Sequence, residues 1–135
     1  MGLPICYSHV SFQETRDIMK IQQTGFVLNV ENYEQCVAFY SDIIGLPIVK
    51  QKEHLTNFRF GESYLLIEKG TTVPEEIRRA ENVPYVIRLN VADVDMAAER
   101  ARTKGVEVNR YSADWGEVAR LRDPDGNAVE YCKWK

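Results

Sequence analysis

Histidine is almost missing from this chain of 135 residues, which has only His9 and His54. Cysteine is scarce too: Cys6, Cys36 and Cys132 lie far apart, and no Cys-x-x-Cys pair occurs. These two shortages exclude the ordinary Cys/His zinc site, which needs several such ligands at short spacing. An odd, scattered set of thiols is no disulfide framework either, and it predicts reduced cysteines in a cytoplasmic protein. No apolar run approaches the ~20 residues that cross a bilayer, so no membrane partner is expected. Positive charge is not in excess, with 17 Lys and Arg against 20 Asp and Glu and a net charge of -3. Without a basic stripe, nucleic acid is not an expected partner. Glycine-rich phosphate loops and the G-x-S-x-G elbow are absent, and neither histidine is placed to activate a serine or cysteine nucleophile.

What the chain does have is a faint internal duplication. Gly25–Asn32 (GFVLNVEN) is matched by Val86–Asp93 (VIRLNVAD), Gly45–Val49 (GLPIV) by Gly105–Val108 (GVEV), and Leu65–Glu68 (LLIE) by Asn127–Glu130 (NAVE). The offsets are 61 between Asn32 and Asp93, 60 between Gly45 and Gly105, and 62 between Glu68 and Glu130. A repeat of that length is a whole folded unit rather than a solenoid turn. With 44% hydrophobic and 27% charged residues, the chain has the composition of one soluble globular domain, large enough to bury a core without staples.

Each half reads as β-α-β-β-β. In the first, Phe26, Leu28 and Val30 alternate as in a strand, and Asn32 then offers an N-cap with Gln35 three residues on, as in a capping box. Cys36, Phe39, Tyr40 and Ile43 form the buried stripe of a helix that Gly45 ends. Strands are expected near 47–51, 55–60 and 64–68, with Gly61-Glu62-Ser63 as a hairpin turn. The second half repeats the plan. Asp93 caps a helix burying Val94, Ala97, Ala98 and Ala101, strands follow at 106–111, 117–122 and 128–133, and Asp123-Pro124-Asp125-Gly126-Asn127 makes a tight turn.

The domain organisation that follows is an N-terminal extension, 1–18, and a single domain, 19–135. The domain divides into module 1 at about 19–70, a polar linker at 71–84 with one or two helical turns expected over 75–80, and module 2 at 85–135. The extension has no basic start followed by an apolar stretch and is not a secretion signal. It opens Met-Gly like a myristoylation site, but position 6 is Cys. Met19 stands directly before the first strand-like run, so the extension reads either as sequence upstream of a natural start or as an arm packing on the domain or a partner subunit.

Two stretches are similar to motifs of a known family. Asn32–Gly45 (NYEQCVAFYSDIIG) resembles the helix ending F-Y-x-x-x-L-G of the vicinal oxygen chelate superfamily. Trp115-Gly116, Asp123–Asn127 and Glu130 resemble its W-G…D-P-D-G-N…E signature. The superfamily includes glyoxalase I, extradiol dioxygenases and the fosfomycin and bleomycin resistance proteins, and the likeness covers 20–134. It implies an α+β fold in which two βαβββ modules form a curved mixed sheet around a cleft, commonly in a homodimer. It also implies, in metal-dependent members, a His or Gln at the start of each module's first strand and a Glu at the end of its last. Those positions fall on Gly25 and Val86, which cannot ligate, and on Glu68 and Glu130, which can. Two carboxylates make a poor site for zinc, nickel or ferrous iron, so neither a metal nor another cofactor is expected.

Strand alternation puts Arg88 and Asn90 on the face of Val86, and Asn29 on that of Gly25, with Arg59 and Arg120 contributed by the third strand of each module. Two glutamates in one cavity would repel unless a guanidinium bridged them. Such pairs would hold the barrel halves together, or leave an arginine free to capture a carboxylate or phosphate. Tyr111, Trp115, Tyr131 and Trp134 could wall a ligand site or pack in the core, and Trp115 is assigned to the core. The expected ligand-binding set is Glu68, Glu130, Arg88, Arg120, Asn29, Asn90 and Arg59. The leading function is metal-free binding of a small, anionic organic molecule, as in antibiotic-sequestering bleomycin resistance proteins. Two alternatives stand beside it: a metal-dependent lyase, isomerase or dioxygenase with atypical ligands, and a dimerising domain without a ligand.

Overall fold

The computed structural model describes residues 17–70 and 84–134. The helical turns expected over 75–80 and most of the extension lie outside them. Module 1 runs β1 (Gly25–Val30), α1 (Tyr33–Ala38) continued by a π-helical turn (Phe39–Ile44), β2 (Ile48–Lys52), β3 (Leu55–Phe60) and β4 (Ser63–Lys69). Module 2 runs β5 (Ile87–Val91), α2 (Val94–Thr103), β6 (Asn109–Ala113), β7 (Gly116–Arg122) and β8 (Ala128–Lys133). Each module makes its own four-stranded mixed sheet, in the orders β1-β4-β3-β2 and β5-β8-β7-β6. The first and last strands of a module pair in parallel, because a helix and two further strands separate them, and the remaining pairs are antiparallel. No helix among the described residues is long and apolar enough to cross a membrane.

Period-2 patterning gives every sheet one helix-covered face. Leu28, Val30, Phe58, Leu65 and Ile67 of module 1 join Ile87, Leu121, Val129 and Tyr131 of module 2 in one core cluster, together with Tyr40, Ala98 and Ala101 from the helical segments. The opposite faces are open. Val27, Asn29, Leu66, Glu68, Asn57 and Arg59 lie on that of the first sheet, and Arg88, Asn90, Glu130, Cys132 and Arg120 on that of the second.

Strand β6 begins later than the expected 106–111. Val106 N–H donates to the Ala101 carbonyl at 3.1 Å, so Val106 still belongs to the end of α2, and Val106 and Val108 pack on the core as linker residues. Asp93 caps α2 as expected, accepting from Met96 N–H at 3.0 Å. The Asn32 capping box does not form: Asn32 makes no side-chain cap. Its amide instead donates to Asp125 at 2.9 Å, and Asp125 Oδ1 and Oδ2 also accept the main-chain N–H groups of Glu31 and Asn32 at 3.0–3.2 Å. A carboxylate from the other module therefore takes the donors that precede α1 and holds the Asn32 side chain by its amide N–H.

The same turn carries a buried knot. Asp123 is 4% exposed and accepts from Tyr40 O–H at 2.7 Å, from Asn127 N–H and Nδ2, and from Asp125 N–H, each at 3.2 Å or less. Burial raises its carboxyl above the ordinary value, with the bonds from Tyr40 and Asn127 pulling the other way. Tyr85 O–H donates to Asn127 Oδ1 at 3.1 Å, and its ring meets Phe26 edge-on at 5.4 Å between centroids. At the far end of the first helical segment, Arg100 donates to the Ile43 and Asp42 carbonyls and Lys104 to the Asp42 carbonyl. Module 2 thus meets that segment at both ends, and this clamp fixes how the two sheets are held.

Candidate functional site

The open face of the second sheet carries a row of charged side chains. Arg88 on β5, Glu130 on β8 and Arg120 on β7 are register partners on three adjacent strands, so their side chains stand in one row. Glu130 is 1% exposed, and both of its oxygens are engaged. Arg88 approaches Oε1 through Nε at 2.8 Å and Nη2 at 2.7 Å, and Arg120 Nη2 reaches Oε2 at 2.8 Å. Tyr111 O–H points at Oε2 from 3.5 Å and accepts from Arg120 Nη2 at 3.2 Å.

Burial by itself would lift the Glu130 carboxyl. Hydrogen bonds from Arg120 and Arg88, with their charges, outweigh it and hold the group below its ordinary 4.5. The Glu130 bond is likewise the main cause of a raised Arg120 guanidinium. A depressed carboxyl contributes stability that is whole above the unfolded value and lost as pH falls through the folded one. Unfolding followed from pH 7 downward should therefore show a loss that starts near pH 4.5 and is missing from Glu130→Gln. An identical acid limb in both proteins would sink this assignment.

One carboxylate against two guanidiniums leaves a single net positive charge. Arg88 and Arg120 keep 48% and 35% of their side chains exposed, so donors remain for an outside anion. Arg120 Nε is buried with no partner. The Arg88 guanidinium lies 4.6 Å from the centre of the Trp115 ring, and that of Arg120 lies 5.7 Å from Tyr111. Trp115 comes from the β6–β7 turn and meets the Arg88 guanidinium where that side chain reaches from β5 to Glu130 on β8. The following Gly116 has φ +151°, a backbone that side chains rarely adopt, and a Cβ there would touch nothing, so the glycine serves the turn itself.

A cavity of about 360 Å³ opens beside this row, lined by Arg88, Asn90, Trp115, Cys132, Lys133 and Trp134. The Cys132 thiol is pushed up by burial and by the Glu130 charge, so it remains a neutral part of the wall. Burial likewise pushes up the Cys36 thiol on the inner face of α1 and keeps it protonated.

Arg88, Arg120, Glu130 and Asn90 thus come together, whereas Glu68, Asn29 and Arg59 do not join them. Those three lie on the open face of the first sheet, where Glu68 faces Asn29 and Leu55 and makes no ion pair among the described residues. Arg59 lines a separate cavity of about 420 Å³ with Asn57 and Tyr64. Neither Glu68 nor Glu130 borders a cavity shared by the two sheets among those described here. The assignment of Trp115 to the core is corrected, since the residue is 44% exposed.

The symmetry between the glutamates is also corrected. Gly70 N–H bonds the Val30 carbonyl and Trp134 N–H the Val91 carbonyl, so 70 and 134 are the spatial equivalents. On that register Glu130 corresponds to Leu66, while Glu68 corresponds to Cys132, two residues further along. Arg88 and Arg120 correspond likewise to Val27 and Asn57, which is why the first sheet lacks the cluster.

The metal centre of the vicinal oxygen chelate enzymes does not fit these residues. A side chain at position 25 would collide with the Tyr64 ring, Glu130 has both oxygens committed to guanidiniums, and Leu66 stands where a second carboxylate would be needed. No group of three or more His, Cys, Asp and Glu side chains among the described residues is close enough to hold an ion.

Paired βαβββ modules, a helix locked by the D-P-D-G-N turn and an open-faced second sheet define a class. The chain belongs to the Glyoxalase/Bleomycin resistance protein/Dioxygenase superfamily, whose sequence profile matches residues 20–131. It is 30% identical to the uncharacterized protein YraH of Bacillus subtilis, over 85% of this chain and 98% of that one. Among solved structures it resembles lactoylglutathione lyase from Agrobacterium tumefaciens, with 25% identity, TM-score 0.63, and coverage of 82% of this chain and 91% of the other. The antibiotic-binding protein TnmS3 from Streptomyces sp. CB03234 shares the fold, at 18% identity and TM-score 0.71, over 88% of this chain and all of that one.

Proposed function

We propose that the protein is a cytoplasmic homodimer that binds a small organic anion on the open face of its second sheet, without a metal. The observation that carries this reading is the buried Glu130 bracketed by Arg88 and Arg120. The acid is already neutralised, and the surplus guanidinium charge borders a cavity of about 360 Å³. A carboxylate or phosphate meets Arg88 as Glu130 does, through paired N–H donors, while Asn90 supplies a neutral partner. Binding rather than turnover is supported by the poor metal donor set, with no general base placed beside this cavity among the described residues. Exposed Val27, Ile48 and Val49 on module 1 support pairing with a second copy. The antibiotic-binding TnmS3 shows that this fold accommodates a binding role, and the lactoylglutathione lyase shows that it accommodates an enzyme.

The test is calorimetric titration with small carboxylates, phosphates and cationic antibiotics. Anions should bind, cations should not, and Arg88→Gln should weaken the anions at least tenfold. Preference for cations would overturn the reading. Stoichiometric metal in protein purified without chelator, lost with Glu130→Gln, would replace it by the metal-dependent enzyme. No binding across the panel would leave a dimerising domain.

A further inference from the structure

The chain has two tryptophans, and both border the same space: Trp115 and Trp134 line the cavity beside Arg88. They also line a second cavity of about 500 Å³ on their other flank. Both indoles are uncovered, at 44% and 68% exposed for Trp115 and Trp134. The Arg88 guanidinium lies over the Trp115 ring, and the main chain of Trp134 is tied to the Val91 carbonyl at 2.8 Å. Large aromatic rings left in water on a rigid sheet are costly unless something stacks on them.

The two flanks differ in charge. Lys133 borders both cavities, whereas Arg88 borders only the first. In the second, Asp93, Asp95 and Glu117 outnumber the bases, and Arg110 lies 2.9 Å from Asp95 and 3.8 Å from Glu117.

Building on the anion-binding reading above, we infer that the ligand is a planar aromatic acid. Its ring stacks on the indoles of Trp115 and Trp134, and its carboxylate points toward Arg88, away from the acidic flank. The ring supplies dispersion and stacking that an aliphatic acid of equal charge lacks.

Because no other tryptophan exists in the chain, its indole fluorescence reports this site alone. Wild type is titrated with 2-naphthoate, octanoate and 2-naphthylmethylamine, and Trp115→Leu and Trp115→Phe with the two acids. Fluorescence quenching and calorimetry are both read. Expected is naphthoate binding at least tenfold tighter than octanoate, with quenching, and the amine not binding. Trp115→Leu should cost naphthoate at least tenfold and octanoate less than threefold, while Trp115→Phe keeps naphthoate within threefold of wild type. Equal affinity for the two acids, or an equal loss of both in Trp115→Leu, would overturn the aromatic assignment and leave anion binding standing. If neither acid binds, both fall. Since Trp115 is half in water, Trp115→Leu should fold, and an unchanged thermal midpoint without ligand checks this.

Discussion

Asp123→Ala should lower the stability of the protein by about 3–5 kcal/mol, the largest single-residue effect expected outside the apolar core. The carboxylate is buried, and its removal strands four donors: the Tyr40 hydroxyl, the Asn127 amide, and the main-chain N–H groups of Asp125 and Asn127. Each buried group left unpaired costs on the order of 1–3 kcal/mol, partly offset where water enters the space. At this chain length the thermal midpoint should fall by roughly 10 °C or more. Asp123→Asn separates shape from charge. It fills the same volume but turns an NH₂ toward donors, so about half the loss is expected. Denaturant unfolding of both variants decides the matter, and a loss under about 1 kcal/mol in Asp123→Ala would mean that the turn holds by its main chain alone.

Glu130→Gln is expected to move stability and binding in opposite directions. The buried acid is what allows two guanidiniums to stand in neighbouring positions on one sheet. Replacing it leaves like charges side by side, at a cost of about 1–3 kcal/mol, moderated because both arginines reach water. For an anionic ligand the same change removes the competing internal carboxylate and frees donors on Arg88 and Arg120. Affinity should rise severalfold and fall more steeply with added salt. Urea unfolding and titration with 2-naphthoate on one preparation read both quantities. A variant that is less stable and also binds more weakly would show that Glu130 organises the arginines for the ligand rather than competing with it.

The sequence made some of this legible because the signals are local. Alternation fixed the helix-covered strand faces, Gly45 and Gly105 ended the helices, and Asp93 capped α2 from three residues away. Arg88 and Glu130 could be placed on one face by parity, although no local rule says that they share a register, and that depends on the loops between them. The equivalence of Glu68 and Glu130 failed for this reason. A motif match counts residues along the chain, whereas spatial equivalence is set by strand pairing, and the two differ here by two positions. Aromatic residues at such spacings usually pack in a core, but Trp115 sits on a hairpin turn, 44% exposed, with its ring against the Arg88 guanidinium. The anchoring of the residues before α1 was out of reach altogether. Its acid lies more than ninety residues away, and Asn32 by itself satisfies every local criterion.

That arrangement makes the two modules unequal in self-sufficiency. The second starts its helix with its own Asp93, whereas the first borrows Asp125 for the residues before its helix, and Arg100 and Lys104 for the carbonyls at its close. A gene cut between the halves would yield one fragment carrying its own helix cap and another stripped of acceptor and donors at both ends. The duplication has become a dependency, in which the half bearing the arginine row also sets the shape of its twin.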